Sequence, residues 1–137
     1  MPLDDVKKED TLAWLAKARG DIAKARHALT AEEPFRDDAV FHCQQAIEKA
    51  MKAFLTWHEV PFRKTHSLEE LGRQCQAIDQ TLQVLVDAAA PLSEYAWKFR
   101  YPGENELPTQ AETDEAMEIA QSAIEAIQTR LAKEMPL

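Results

Sequence analysis

Apolar residues recur every three or four positions along most of this 137-residue chain, and nowhere do they alternate with polar ones. A period near 3.6 buries one face of a helix, whereas a half-buried strand needs a period of two. Only three glycines occur, too few for the turns of a β-protein, and the strong helix formers Ala, Glu, Gln, Lys and Leu are used throughout. The pattern confines the chain to an all-α fold. We expect an antiparallel up-and-down bundle of four long helices plus a short one, forming a single domain over residues 1–137.

The periodicity places the elements. Leu12, Leu15, Ala18, Ile22, Ala25 and Leu29 predict a first helix from about Lys7 to Thr30, interrupted only by Gly20. Pro34 ends it, and Asp37 or Asp38 is expected to cap the second. In the second helix Val40, Cys43, Ala46, Ile47, Ala50 and Phe54 share one apolar arc, with Met51 at its edge, and Pro61 stops it. Ser67 with Glu70 is a capping-box signature for a short third helix. A fourth should start at Asp79 and bend or break at Pro91. Pro102-Gly103 marks a turn, and Thr109 with Glu112 opens a last helix whose seam is Met117, Ala120, Ile124, Ile127 and Leu131.

Charge excludes some functions. The net charge is −8, with 13 acids and 12 bases in residues 1–76 but 11 acids and 4 bases in residues 77–137. Non-specific DNA binding draws on Lys and Arg releasing phosphate counterions, which this balance does not supply. The four histidines, His27, His42, His58 and His66, include no pair at the three- or four-residue spacing of a chelating helix face, so no metal site is expected. Nor is any cofactor implied, since no Gly-rich phosphate loop, nucleophile elbow or paired-cysteine motif is present. Cys43 falls on the apolar arc and reads as a buried thiol. The opening "MPLDDVKKED" lacks the apolar core of a signal peptide, and no apolar run approaches the roughly 18 residues of a membrane span, so a cytoplasmic protein without membrane contact is expected.

One polar stripe stands out. On the second helix His42, Gln45, Lys49 and Lys52 line up at steps of three and four, beside Gln44 and Glu48 on the other flank. A solvated face would account for them. So would a site, because a Gln amide can read a base edge and Lys can meet phosphate or carboxylate.

The stretches "AWLAKARGDIAKARHAL", "FHCQQAIEKAMKAFL" and "KTHSLEEL", then "RYP" before the last helix, resemble the HEPN (higher eukaryotes and prokaryotes nucleotide-binding) domain family, in order and over nearly the whole chain. The resemblance implies a helical bundle that usually dimerises and is often encoded beside a minimal nucleotidyltransferase. Many such proteins are metal-independent RNases, several of them toxins, marked by an Arg and a His with four to six residues between them near the start of the last long helix. Here the eligible positions after Arg100 are Asn105, Glu106 and Leu107, and none is histidine. Arg36 and His42 have the spacing, but at the entrance of the second helix.

The expectation is therefore a non-catalytic module, a homodimer that binds a nucleotide or short RNA, a minimal nucleotidyltransferase partner, or both, in a toxin–antitoxin-type pair. Its site would be His42, Gln45, Lys49, Lys52, His66, Arg100 and Tyr101, with Lys49, His66 and Arg100 contributing to one electropositive pocket. The alternatives are an RNase toxin acting through Arg36, His42 and Arg100, and a purely structural dimerisation module. The dimer is expected because the seam Met117, Ile124, Ile127 and Leu131, with the first helix, offers more apolar surface than a small bundle hides.

Overall fold

The computed structural model describes residues 3–102 and 106–135, and among these no strand occurs. Helix α1 runs Leu3–Ala28, α2 Arg36–Trp57, α3 Leu68–Ile78, α4 Gln83–Ala89 and α5 Gln110–Glu134. The all-α expectation holds, with two adjustments. The first helix starts a turn earlier than its apolar face, since Asp4 and Asp5 suit the positive end of its dipole. The fourth is not one long helix: α4 is flanked by 3-10 turns at Gln80–Leu82 and Ala90–Ala96, and Pro91 sits at the start of the second of these.

Helix α2 is the axis of the bundle. Val40, Cys43, Ala46, Ile47 and Ala50 are fully buried, and Ala39, Ala53 and Leu55 extend the burial beyond the expected arc. Helices α1, α3 and α5 all pack on it. Gly72 lets α3 approach closely, because a Cβ there would lie 2.7 Å from Val86 Cγ1. Cys43 and Cys75 are buried free thiols, each pushed up to about 12, chiefly by burial, and so are unreactive.

The ends of the helices follow their local chemistry. Thr109 and Glu112 form the complete reciprocal capping box. Ser67 makes only half of one: its hydroxyl accepts from the Glu70 amide at 3.1 Å, while the Glu70 carboxylate turns to Arg63. Asp37 and Asp38 lie in the first turn of α2 rather than capping it, and Phe35 occupies the cap position without a side-chain bond. Helix α2 ends where Glu59 takes a left-handed φ of 58°, and the Val60 amide closes on the Leu55 carbonyl at 2.9 Å before Pro61. This turn sends residues 60–67 back along α2.

The last-helix seam is used differently from the sequence expectation. Ala120, Ile124, Ile127 and Leu131 are buried inside the bundle and Met117 is half-buried, its sulfur meeting the Cys43 thiol. They are core within one protomer, so they leave no surface on which to rest a dimer.

Candidate functional site

At 100° per residue, α2 turns Asp38, Phe41, His42, Gln44, Gln45, Glu48, Lys49 and Lys52 to the side opposite its apolar arc. Much of that side is covered. Gln44 is fully buried, Glu48 is 3% exposed and Lys52 is 8% exposed. A buried charge persists only when paired and hydrogen-bonded, and here the pairing is complete.

Two Lys–carboxylate–His triads line the flanks. On the α1 flank, buried Asp21 accepts from Lys49 Nζ at 2.5 Å and from His42 Nδ1 at 2.9 Å. On the other flank, Glu48 accepts from Lys52 Nζ at 3.0 Å, His66 Nδ1 at 2.8 Å and Gln44 Nε2 at 3.2 Å. A carboxylate only accepts, so both histidines present Nδ1–H to it and leave Nε2 facing elsewhere. Gln44 also donates to the His66 backbone carbonyl at 3.0 Å, and its side-chain Oε1 accepts from Gln45 Nε2 at 2.6 Å. Lys52 is roofed by Trp14 of α1 and Phe62 of the returning segment, with ring centroids 5.3 and 5.7 Å from Nζ. Trp14 and Phe62 meet edge to face.

Arg100 reaches the same side from the opposite end. Phe99 adopts a left-handed φ of 68°, which turns the chain so that Arg100 lies 4.0 Å over the Phe41 ring and donates to Asp38 at 2.8 Å. Tyr101 follows, 65% exposed. The turn residue Gly103 and Asn105 lie outside the described residues. Arg36 donates its Nε–H to the Pro108 carbonyl at 2.7 Å, tying the start of α2 to the start of α5.

The structure thus brings His42, Gln45 and Lys49 onto one half-buried strip, with Lys52 and His66 on its other edge and Arg100 at its head. The expected electropositive pocket of Lys49, His66 and Arg100 does not form. Each of the three side chains is assigned its own carboxylate, Asp21, Glu48 and Asp38 respectively. The sequence reading set Glu48 on the other flank and Asp38 at the helix entrance without pairing either, and it passed over Asp21. Asp21 did leave a signal, since Ala18, Asp21 and Ala25 continue the three-four spacing and place a carboxylate on the buried face of α1.

Beside the strip lies an open hollow of about 420 Å³ between α1 and the start of α2. Ala23, Ala28 and Phe35 give it apolar walls, while Lys24, His27, Asp38 and His42 supply polar groups. Among the described residues no cluster of three or more metal-ligating side chains occurs, and no helix is long and apolar enough to cross a membrane.

Comparison with known proteins agrees with this architecture. The HEPN domain family model matches residues 11–131, and the chain belongs to the HEPN family. The solved crystal structure of an archaeal HEPN homologue superposes with a TM-score of 0.70 at 20% sequence identity, covering 88% of this chain and 97% of that one. The likeness establishes a shared fold. No curated protein matches the sequence.

Proposed function

We propose that this HEPN domain is a non-catalytic module whose ligand is a nucleotide held in the hollow between α1 and α2. The observation that carries this reading is the hollow itself. It joins an aromatic wall, Phe35, to His42, whose ring is fixed by buried Asp21 through Nδ1, leaving Nε2 for a ligand. Small-molecule sites are of this kind, mostly apolar walls of a few hundred Å³ with a few oriented polar groups. Phe35 offers a stacking face for a base, Lys24 at the rim offers charge for phosphate, and His27 offers a ring nitrogen for a hydrogen bond.

Catalysis is disfavoured by the same geometry. No histidine follows Arg100 at the family spacing, and the Arg100 guanidinium is held by Asp38 and the Phe41 ring. Arg36 is spent on a backbone carbonyl of the α5 entrance. RNA cleavage needs a positioned base for the 2′-hydroxyl and an acid for the leaving oxygen. The polar strip of α2 is on this reading a set of clamps that fix α1 and residues 60–67 against α2, with α1 and the start of α2 walling the hollow.

Calorimetry with AMP and ATP, together with an RNA cleavage assay, tests the proposal. We expect saturable binding that falls at least tenfold in Phe35→Ala and His42→Ala, with RNA left intact. Cleavage abolished by His42→Ala, or absence of binding by the folded wild type, would replace it. The module is further proposed to act as a homodimer beside a nucleotidyltransferase partner in a toxin–antitoxin-type pair. The apolar side chains for self-pairing are exposed Trp97, Tyr101 and Leu107, so light scattering should give a dimer that Trp97→Ala and Tyr101→Ala weaken.

A further inference from the structure

Helix α4 is apolar on two sides. Val86 and Ala89, with Leu82 of the preceding 3-10 turn, point into the core, but Val84, Leu85 and Ala88 face a groove between α4 and α5. Across it stand Glu115, Glu118, Ile119, Ser122, Ala126 and Arg130 of α5, enclosing about 540 Å³. Val84 is 82% exposed, and Leu85, Ile119 and Ala126 are only half-buried. The groove exists because α4 is short and α5 long, so α4 covers only part of the flank that α5 presents. From Glu115 to Arg130 the α5 wall runs about 22 Å at 1.5 Å per residue, four turns of helix.

The charge along the groove is graded. At one end Arg130 is neutralised, donating to Asp79 at 2.8 Å and to the Thr81 hydroxyl at 2.8 Å. At the other end Glu115 and Glu118 are exposed, and among the described residues neither has an ion-pair partner. The Tyr95 hydroxyl is pushed above its ordinary value, first by burial and then by Glu112, Glu94 and Glu115. Residues 77–137 carry 11 acids against 4 bases, so a second copy laid into the groove by its own α4–α5 face would set acid against acid. Like charges brought together at an interface cost several kcal/mol.

We propose that the α4–α5 groove is a docking site for an amphipathic helix of another protein, with an aliphatic face for Val84, Leu85 and Ile119 and with lysine or arginine beside Glu115 and Glu118. Anchors three and four residues apart on such a helix fit an apolar channel of this length. The acidic end fixes the direction in which it lies and speeds its approach. This surface belongs to helices that take no part in the nucleotide hollow, so either proposal can fail alone.

The probe is a synthetic helical peptide of about four turns with leucines on one face and flanking lysines, and its counterpart with glutamates for the lysines. Binding is read by fluorescence anisotropy and by amide NMR shifts of the full chain. We expect the lysine peptide to bind, with shifts centred on Val84, Leu85 and Ile119, and the glutamate peptide to bind at least tenfold more weakly. Val84→Asp should weaken the lysine peptide tenfold or more. Glu115→Lys with Glu118→Lys should reverse the preference between the two peptides. Val84 and both glutamates are exposed, and an unchanged melting temperature verifies the fold of each variant. Equal binding of the two peptides, shifts elsewhere, no binding, or a wild-type dimer that Val84→Asp dissociates would each overturn the proposal.

Discussion

The two sides of this bundle invert the simplest rule of protein interiors. Around α2 the charged residues are inside: Asp21, Glu48 and Lys52 are buried. Around α4 the apolar residues are outside, Val84 foremost. The informative observations in a structure are a buried polar group and an exposed apolar patch, and here they sit on different helices. The first side has resolved its conflict within the chain, by two carboxylates each shared between a lysine and a histidine. The second has left its conflict unresolved, which is the condition of a surface awaiting a partner. The α2 strip is held by pairings within the chain, while its His42 and Asp38 also line the hollow.

This contrast can be broken by experiment. The largest effect is expected at Glu48. Glu48→Gln leaves the Lys52 ammonium buried without a counter-charge, and should cost about 3–5 kcal/mol in denaturant unfolding. Replacing both partners, Glu48→Leu with Lys52→Met, should recover part of that loss, because the unpaired buried charge is gone although Gln44 and His66 still lose their acceptor. If the single substitution is harmless, Lys52 is not held as described. Next comes Asp21→Asn, which removes the charge between Lys49 and His42. These two are partly solvated, so the expected loss is smaller, about 1–3 kcal/mol.

A third effect marks the closed end of the groove. Asp79 is held down from 3.8 to about 2 by hydrogen bonds from the Thr81 hydroxyl, then Arg130, then the Thr81 amide. Its folded value lies below its unfolded one, so its contribution is present above the ordinary carboxylate range and lost as pH falls from there toward 2. Asp79→Asn should therefore lower stability at neutral pH, by under about 1 kcal/mol because the pair is solvent-screened. The difference should vanish in acid, as thermal melts over that pH range would reveal. The smallest effect is at Val84. Val84→Ser should change stability by no more than about 0.5 kcal/mol, since that side chain has no work inside the fold. A large loss would mean that the groove belongs to the core.

The sequence by itself determined the helices and most of their ends, because these are local matters. Apolar spacing fixed which faces of α1, α2 and α5 point inward, including the burial of Cys43. Ser67, Asp79 and Thr109 announced their capping roles through residues two or three positions away. The Pro91 interruption was legible too, though not that the α-helical part of the fourth element would shrink to Gln83–Ala89 between two 3-10 segments, which depends on packing against α3 and α5. What only the tertiary structure decided was the meaning of the polar stripe. Lys49 meets a carboxylate 28 residues away, and Arg100 one 62 residues away. Nothing in the spacing of α2 says whether a lysine faces water, a ligand or another helix, since the 3.6-residue period sorts faces but does not name what covers them. The same limit applies to the last helix, whose seam looks alike whether it closes on its own bundle or on a second chain. Its burial against α2 was settled by how the helices stack, and so was the groove beside α4, which exists only because two helices of unequal length lie side by side.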